Sequence, residues 1–303
     1  MTTIASRLQV VRSRIDAAAV AAGRSPGDIR LIAVSKTFPP AAIAEAHAAG
    51  QIAFGENYLQ EAMSKMAALD GLGPEWHAAS PEAEGFESGS DERPSVGVAS
   101  PQAGPLLLPL EWHDAQGQEE LRQREGDVRL SAGVASPQAR PLLLPLEWHF
   151  IGPIQSNKTR QIAEQFHWVH AVDRLKIAER LSISRPPNRL ALEICIQVNV
   201  SGEESKSGIR PDEVLALANL VSRLPGLRLR GLMAIPEPTP DIGLQRSRFA
   251  LLRQLRDEIV SRGVALDTLS MGMSDDLEAA IAEGATLVRV GRAIFGERPP
   301  HSG

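Results

Sequence analysis

Residues 266–290 read LDTLSMGMSDDLEAAIAEGATLVRV and carry the clearest structural signal in the chain. Two short apolar runs, 266–270 and 286–290, enclose a stretch at 275–283 whose apolar residues recur at helical spacing. Gly284 marks the end of this helix. Parallel strands are buried on both faces and need a crossover connection, so the stretch predicts a βαβ unit of a parallel sheet.

The same alternation extends towards the start of the chain. Each predicted strand is followed by a helix-like stretch, and one further helix precedes the first strand. Eight evenly spaced and continuously apolar strands predict an α/β fold of the (β/α)8 TIM-barrel class, and an open parallel sheet is the alternative. The predicted strands are 30–35, 52–54, 148–151, 168–171, 191–200, 228–233, 266–270 and 286–290.

A tandem duplication interrupts this pattern before the third strand. The tripeptide Glu-Trp-His occurs at 75–77, 111–113 and 147–149, a spacing of 36 residues both times. Residues 78–149 contain eight prolines and twelve acidic but only five basic residues, a composition that buries too little apolar surface to offset the entropy cost of ordering. We therefore expect a single domain spanning 1–303, interrupted at 78–149 by a disordered insertion.

Composition argues against several classes of function. The chain has 303 residues, with 32 Lys and Arg against 37 Asp and Glu, a net charge of -5, four Trp and one Tyr. Such an acidic chain, poor in aromatic residues, is not expected to bind nucleic acid. No stretch approaches the roughly 18 apolar residues of a membrane span. The single cysteine, Cys195, cannot form an internal disulfide, which favours a cytoplasmic location.

In a (β/α)8 barrel, the chemistry lies at the carboxyl ends of the strands. This rule places the candidate site residues, which lie at or after the ends of six predicted strands, at one end of the predicted barrel. They are Lys36, Asn57, Asn199, Ser201, Met233, Ser274, Arg289, Gly291 and Arg292.

Lys36 is the candidate for covalent chemistry, because a lysine amine forms a Schiff base with an aldehyde or ketone. Its ordinary pKa of about 10.4 must be lowered for this, and both desolvation and a nearby cation such as Arg289 would lower it. The alternative is that Lys36 pairs with Glu56 or extends into solvent.

A second signal predicts an anion site. Gly291 allows the backbone to approach a ligand closely, and the N–H groups that begin the following helix would hold a phosphate. Ser274 would add a hydroxyl donor, or would instead cap its own helix. A phosphorylated aldehyde satisfies Lys36 and this anion site together, and pyridoxal 5′-phosphate (PLP) is such a molecule. His167 and His170 lack a third ligand, so no metal is predicted and a surface or packing role is expected for them.

Six motifs, together with most of residues 1–77 and 148–298, closely resemble the pyridoxal phosphate homeostasis protein family. The resemblance implies a barrel like the N-terminal domain of alanine racemase, without the second, β-rich domain of that enzyme. The motifs are AVSKT at 33–37, FGENYLQE at 54–61, WHFIGPIQSNK at 148–158, SKSGI at 205–209, RGLMAIP at 230–236 and LSMGMSDDLEAAIAEGATLVRVG at 269–291.

The resemblance also implies roles for the candidate residues. Lys36 would carry the Schiff base with PLP, and Arg289 would face the pyridine nitrogen. Ser274 would hold the phosphate with the backbone of Gly291 and Arg292, where family members commonly have Thr instead of Arg292. The pocket would be lined by Asn57, Ser201 and Met233.

An arginine only donates hydrogen bonds, so Arg289 would leave the pyridine nitrogen unprotonated and weaken PLP as an electron sink. A racemase also needs a base on each face of the substrate carbon, and only Lys36 is evident. We therefore expect a non-catalytic PLP-binding protein of vitamin B6 homeostasis, a monomer or weak dimer, with PLP-dependent client enzymes as candidate partners. The alternatives are a PLP-dependent amino-acid racemase or lyase and a Schiff-base aldolase without cofactor.

Overall fold

Eight parallel strands close into a barrel in which each strand pairs with the next and β8 pairs with β1. The computed structural model describes residues 3–69, 145–202 and 207–297. Within these ranges the strands are β1 (Arg30–Val34), β2 (Ala53–Glu56), β3 (Glu147–Phe150), β4 (Trp168–Val172), β5 (Leu192–Gln197), β6 (Leu227–Met233), β7 (Thr268–Ser270) and β8 (Leu287–Val290).

Helices surround the barrel and follow the strands in the predicted order. They are α1 (Ile4–Ala21), α2 (Pro40–Ala48), α3 (Leu59–Ala68), α4 (Thr159–Gln165), α5 (Leu175–Ser184), α6 (Val214–Val221), α7 (Ile242–Ser261), α8 (Leu277–Ala282) and α9 (Arg292–Phe295). The predicted (β/α)8 barrel is confirmed, and the open sheet is wrong, because the pairing of β1 with β8 leaves no sheet edge.

The extra helix α1 fastens the closing seam of the barrel. Its residues Ile4, Leu8, Val11 and Ile15 are buried, as their helical spacing predicts. The Arg7 guanidinium donates hydrogen bonds to the carbonyl groups of Ile294 (2.7 Å) and Phe295 (3.3 Å) in α9. These contacts hold α9, the helix that follows β8, against the barrel wall.

Strand β5 is shorter than the predicted 191–200. It ends at Gln197, and Val198 forms an isolated bridge with Ile209, while the Asn199 N–H donates to the Ile209 carbonyl at 2.9 Å. The chain therefore leaves the sheet earlier than its apolar run indicates, because a returning loop takes over the hydrogen bonds of the last residues.

Strand β3 begins at Glu147, so residues 147–149 belong to the barrel although the sequence pattern places them at the end of the insertion. The Glu-Trp-His copy at 147–149 is therefore the one that forms β3. Residues 145 and 146 of the predicted insertion are also described, and Leu146 is buried. Residues 78–144, with the disorder expected of them, lie outside the described residues.

Candidate functional site

The carboxyl ends of β1 and β8 bring Lys36 and Gly291 to the same end of neighbouring strands. The pairing of Ala33 with Val290 continues to the next residues, since a Cβ on Gly291 would lie 3.1 Å from the Val34 carbonyl oxygen. Lys36 follows two residues later and is partly buried. The Glu56 carboxylate, the alternative partner considered for Lys36, is bound by Lys65 (2.7 Å).

Gly291 is the N-cap of α9, and its φ of -115° is available to any residue. A side chain here would be tightly packed, because its Cβ would lie 3.1 Å from the Val34 carbonyl oxygen. The first N–H groups of a helix have no partner within it, so this turn presents donors at the carboxyl end of β8.

The turn after β7 faces the same region. Gly272 has a φ of +95°, which glycine adopts without strain, and its carbonyl accepts a hydrogen bond from the Arg289 N–H at 3.0 Å. The N-cap of α8 is Asp276, so Ser274 is not the helix cap that was considered for it. Ser274 lies partly buried in the turn between Gly272 and α8.

Both acidic residues after Ser274 have partners within the protein. Asp276 accepts a hydrogen bond from the Met273 N–H at 2.6 Å, and burial raises the pKa of Asp276. Asp275 is exposed and lies 3.6 Å from the exposed Arg292 guanidinium. The Arg292 side chain therefore extends into solvent, and only its backbone belongs to the turn at the end of β8.

Arg289 projects from β8 into the barrel and is almost fully buried. Its Nη1 donates to Ser270 Oγ at 2.6 Å, and its Nη2 donates to the Ala234 carbonyl at 2.9 Å. Burial lowers the pKa of Arg289 to about 10, so the guanidinium remains charged at neutral pH. Met233, the last residue of β6, pairs with Ser270 and is fully buried, so it packs beneath the site.

A buried polar chain extends from Arg289 across the barrel interior. His170 Nδ1 lies 2.8 Å from Ser270 Oγ, and its Nε2 lies 2.9 Å from His149 Nδ1. His149 Nε2 lies 2.8 Å from Glu147 Oε1. We call the four residues Glu147, His149, His170 and Ser270 the interior polar chain. The surface role considered for His170 is wrong, because its side chain is fully buried.

Donor rules assign every proton in this chain. The ionised Glu147 carboxylate only accepts, so the neutral His149 ring carries its proton on Nε2, which faces Glu147, and accepts at Nδ1. His170 then donates from Nε2 to His149 and accepts at Nδ1, so the Ser270 hydroxyl, which accepts from Arg289, donates its own proton to His170 Nδ1.

The charge states of the interior polar chain are consistent with this assignment. Burial lowers the pKa of both His149 and His170, so both rings are neutral. Burial alone would raise the pKa of Glu147, but His149 and Arg30 lower it to about 2. Arg30 reaches the second Glu147 oxygen at 2.7 Å. The interior polar chain therefore links two cations, Arg30 and Arg289, through one carboxylate. Hydrogen bonds join Arg289 to His149, and His149 Nε2 contacts Glu147 Oε1.

Asn57 and Ser201 border the same end of the barrel from other strands. The Asn57 Oδ1 is buried without a hydrogen-bond partner in the part of the chain that the structure describes. The Ser201 Oγ accepts from the Glu237 N–H at 3.0 Å and so links the loops after β5 and β6. The Asn199 Oδ1 accepts from the N–H groups of Ser201 and Gly202, both at 3.2 Å, which gives Asn199 a role in shaping its loop.

The model of the alanine racemase N-terminal domain family matches residues 7–299 of this chain. Curated relatives named pyridoxal phosphate homeostasis protein match nearly its full length. The relative from Pseudomonas aeruginosa is 48% identical over 298 residues, covering 98% of this chain and 97% of the relative. The relative from Escherichia coli K12 is 41% identical over 304 residues, covering 98% of both chains. The chain belongs to the pyridoxal phosphate homeostasis protein family.

Solved structures agree with this family assignment. PipY of Synechococcus elongatus PCC7942, solved with PLP bound, is 30% identical with a TM-score of 0.66, covering 97% of this chain and 100% of PipY. Alanine racemase of Corynebacterium glutamicum is 12% identical with a TM-score of 0.54, covering 98% of this chain and 62% of the enzyme, and shares the fold alone. The predicted alanine racemase N-terminal type of barrel is thus confirmed.

The residues at this end of the barrel suit the cofactor that gives the homeostasis family its name. The buried, unpartnered Asn57 Oδ1 offers an acceptor to a polar ligand. The turn at Gly291 presents the first N–H groups of α9, which have no partner within that helix. Across the described ranges, no group of three or more His, Cys, Asp or Glu side chains is arranged to hold a metal ion, and no helix is long and apolar enough to cross a membrane.

Proposed function

We propose that this chain binds PLP reversibly as a Schiff base on Lys36 and serves vitamin B6 homeostasis without catalysing a reaction. The observation that carries the proposal is the placement of Lys36 and Gly291 at the same end of adjacent strands. An amine and a phosphate cradle on neighbouring strands match the two functional groups of one phosphorylated aldehyde. PLP itself would supply the aldehyde and the electron-withdrawing ring.

Each candidate residue has a binding role in this proposal. Ser274 and the backbone of Gly291 and Arg292 would hold the phosphate. The pocket would be lined by Asn57 and Ser201, with Met233 packing beneath it. Arg289, fixed by Ser270 and the Ala234 carbonyl, would donate to the pyridine nitrogen.

Arg289 also supports a carrier over a catalyst. Its guanidinium is charged and donor-only, so it cannot deliver a proton to the pyridine nitrogen and the ring remains a weak electron sink. The two interior histidines, His149 and His170, are fully buried and hydrogen-bonded to each other, so neither is available as a base for an amino acid.

Absorption spectroscopy tests the binding mode. The purified chain with added PLP should show the visible band of a Schiff base, and borohydride reduction should leave a PLP adduct on the peptide that contains Lys36. Lys36→Ala should lose both the band and the adduct. Lys176→Ala, which removes an exposed lysine of α5, is the matched control and should retain both. A Lys36→Ala spectrum identical to that of the unaltered chain would refute the proposal.

Turnover assays decide between the carrier and the PLP-dependent racemase or lyase. The PLP-loaded chain should leave the chirality and the amount of free amino acids unchanged over hours. The Schiff-base aldolase without cofactor predicts a chain that remains colourless when PLP is added. A cytoplasmic location, a monomer or weak dimer and PLP-dependent client enzymes as partners complete the proposal.

A further inference from the structure

The backbone next to Lys36 is strained. Thr37 has a φ of +69°, and within the described ranges it is the one residue other than glycine with a positive φ. A β-branched residue is strongly disfavoured in this conformation. Such a conformation persists only where its surroundings impose it. We call residues 35–37 the Lys36 loop, and its contacts show what holds Thr37 in this conformation.

A buried ion cluster lies against the Lys36 loop. Lys65 of α3 is only 4% exposed, and its ammonium donates to Glu56 Oε1 at 2.7 Å and to Glu61 Oε1 at 2.6 Å. Its third hydrogen bond goes to the Ser35 carbonyl at 2.8 Å. An ammonium has three N–H donors, so Lys65 is saturated. We call Glu56, Glu61 and Lys65 the Lys65 cluster.

The Lys65 cluster forms hydrogen bonds with the residues on both sides of Lys36. Before it, the Ser35 carbonyl accepts from Lys65, and the Ser35 hydroxyl donates to Glu56 Oε1 at 2.6 Å. After it, the strained Thr37 donates its backbone N–H to Glu61 Oε1 at 2.5 Å. These three hydrogen bonds fix the peptide units that flank Lys36.

The composition of the cluster argues for a positioning role over a purely stabilising one. Glu56 is completely buried, and desolvation raises its pKa even though Lys65 opposes the shift. Its second oxygen, Oε2, is buried without a hydrogen-bond partner among the described residues. Replacing a buried ion cluster by apolar side chains of similar volume is often neutral or stabilising, and in some proteins such polar groups specify a single geometry.

We propose that the Lys65 cluster positions Lys36 by holding the strained Thr37 backbone, so that the amine meets a bound aldehyde in the geometry needed for Schiff-base formation. Glu56, Glu61 and Lys65 are positioning residues, since they act through the loop. This inference rests on the proposed function, because it concerns the same amine.

Glu61→Ala is the informative variant, because it removes the acceptor of the Thr37 N–H and leaves the Glu56–Lys65 pair in place. We expect the affinity for PLP and the rate at which the Schiff-base band appears to fall about tenfold, the factor typical of one strained non-glycine residue. The affinity for 4′-deoxypyridoxine 5′-phosphate, which has the ring and phosphate but no aldehyde, should not change. Glu164→Ala, which removes another i,i+4 ion pair on α4, is the matched control and should not change the affinity for either ligand.

A second substitution tests the strain itself. Thr37→Gly in the Glu61→Ala background should restore most of the lost rate, since glycine adopts a positive φ without a steric cost. Should Glu61→Ala fail to fold, Glu61→Asp carries the test, because it keeps a charge for Lys65 but is too short to reach both Lys65 and Thr37. It should then show the same selective loss for PLP.

The outcomes separate this inference from the function on which it rests. No Schiff-base band in the unaltered chain would overturn the proposed function. A normal band in the unaltered chain, with Glu61→Ala matching it in affinity and rate, would overturn only the positioning role. Equal losses for PLP and for the aldehyde-free analogue would also overturn it, because they would indicate general damage to the pocket.

Discussion

Replacing Ser270 with alanine should destabilise the folded chain out of proportion to the single oxygen atom that is lost. Ser270 is fully buried, accepts from Arg289 Nη1 at 2.6 Å and lies 2.8 Å from His170 Nδ1. Alanine leaves two buried polar groups without a partner, one of them part of a charged guanidinium. The loss of stability therefore comes from the polar groups of Arg289 and His170 that remain buried without a partner.

The magnitude follows from these two groups. Each buried polar atom left without a hydrogen bond costs about 1–3 kcal/mol, and more if it is charged. Partial repacking recovers some of this, so the free energy of unfolding should fall by about 2–5 kcal/mol in total. Ser247→Ala is the matched control, since the exposed Ser247 hydroxyl bonds only within its own helix, and its effect should remain within about 0.5 kcal/mol.

Urea unfolding at neutral pH, followed by circular dichroism, measures both variants. The slope of the free energy against urea concentration should be unchanged, because Ser270→Ala does not alter how much surface unfolding exposes. If Ser270→Ala lowered the unfolding free energy no more than Ser247→Ala, the assignment of hydrogen bonds along the interior polar chain would be refuted. A freed Arg289 should also weaken PLP binding in the same variant, measured by titration of the Schiff-base band.

Two further predictions concern the stability of the folded chain at low pH and the close packing of β6 against β7. Burial lowers the pKa of His167 to about 3 from an ordinary value near 6.5, so the unfolded chain binds the extra proton and stability is lost as the pH falls below about 6.5, at about 1.4 kcal/mol per pH unit for this residue. The pKa values of His149 and His170 are lowered in the same way, while the raised pKa of Glu56 has the opposite effect on the pH dependence of stability. In urea titrations, His167→Gln should reduce the loss of unfolding free energy between about pH 6 and 4. An unchanged pH dependence would contradict a buried, neutral His167. Gly231→Ala would place a Cβ 1.8 Å from the Thr268 carbonyl oxygen in the neighbouring strand, which should cost more than about 3 kcal/mol by thermal unfolding. Gly27→Ala, whose nearest neighbour would lie at 3.6 Å, is its control, and equal melting temperatures would mean that β6 and β7 pack less closely than described.

The sequence predicted the barrel because its strands are continuous apolar runs and its helices have a clear period. The ends were less predictable: β5 stops at Gln197 inside an apolar run because a returning loop, and not the composition, supplies the last hydrogen bonds. The rule that chemistry lies at the carboxyl ends of strands was enough to place Lys36 and Gly291 together. It did not distinguish the backbone of Arg292 from its solvent-directed side chain.

The two buried networks escaped prediction for different reasons. Glu147 and His149 form part of a repeated tripeptide, and the repeat made them look like the end of an insertion. Their signal was the alternation at 147 and 149, matched by His170 in the next strand, which is the period of side chains facing one side of a sheet. The sequence did not single out Lys65, because a lysine is expected at the surface. It lies three residues after the buried Ala62, however, and so falls on the inner face of α3.

The proposed carrier function would make use of both networks, because they hold binding groups in place. Tight binding through many contacts would slow release, whereas a pocket with few contacts binds usefully only if those contacts need no rearrangement. The Lys65 cluster fixes the backbone around Lys36, and the interior polar chain fixes Arg289, so both groups are in place before a ligand arrives. If this is correct, Glu61→Ala and Ser270→Ala should lower PLP affinity by factors that multiply in the double variant, because the two networks share no residue. A double variant no weaker than the worse single variant would show that the two networks act on one common step.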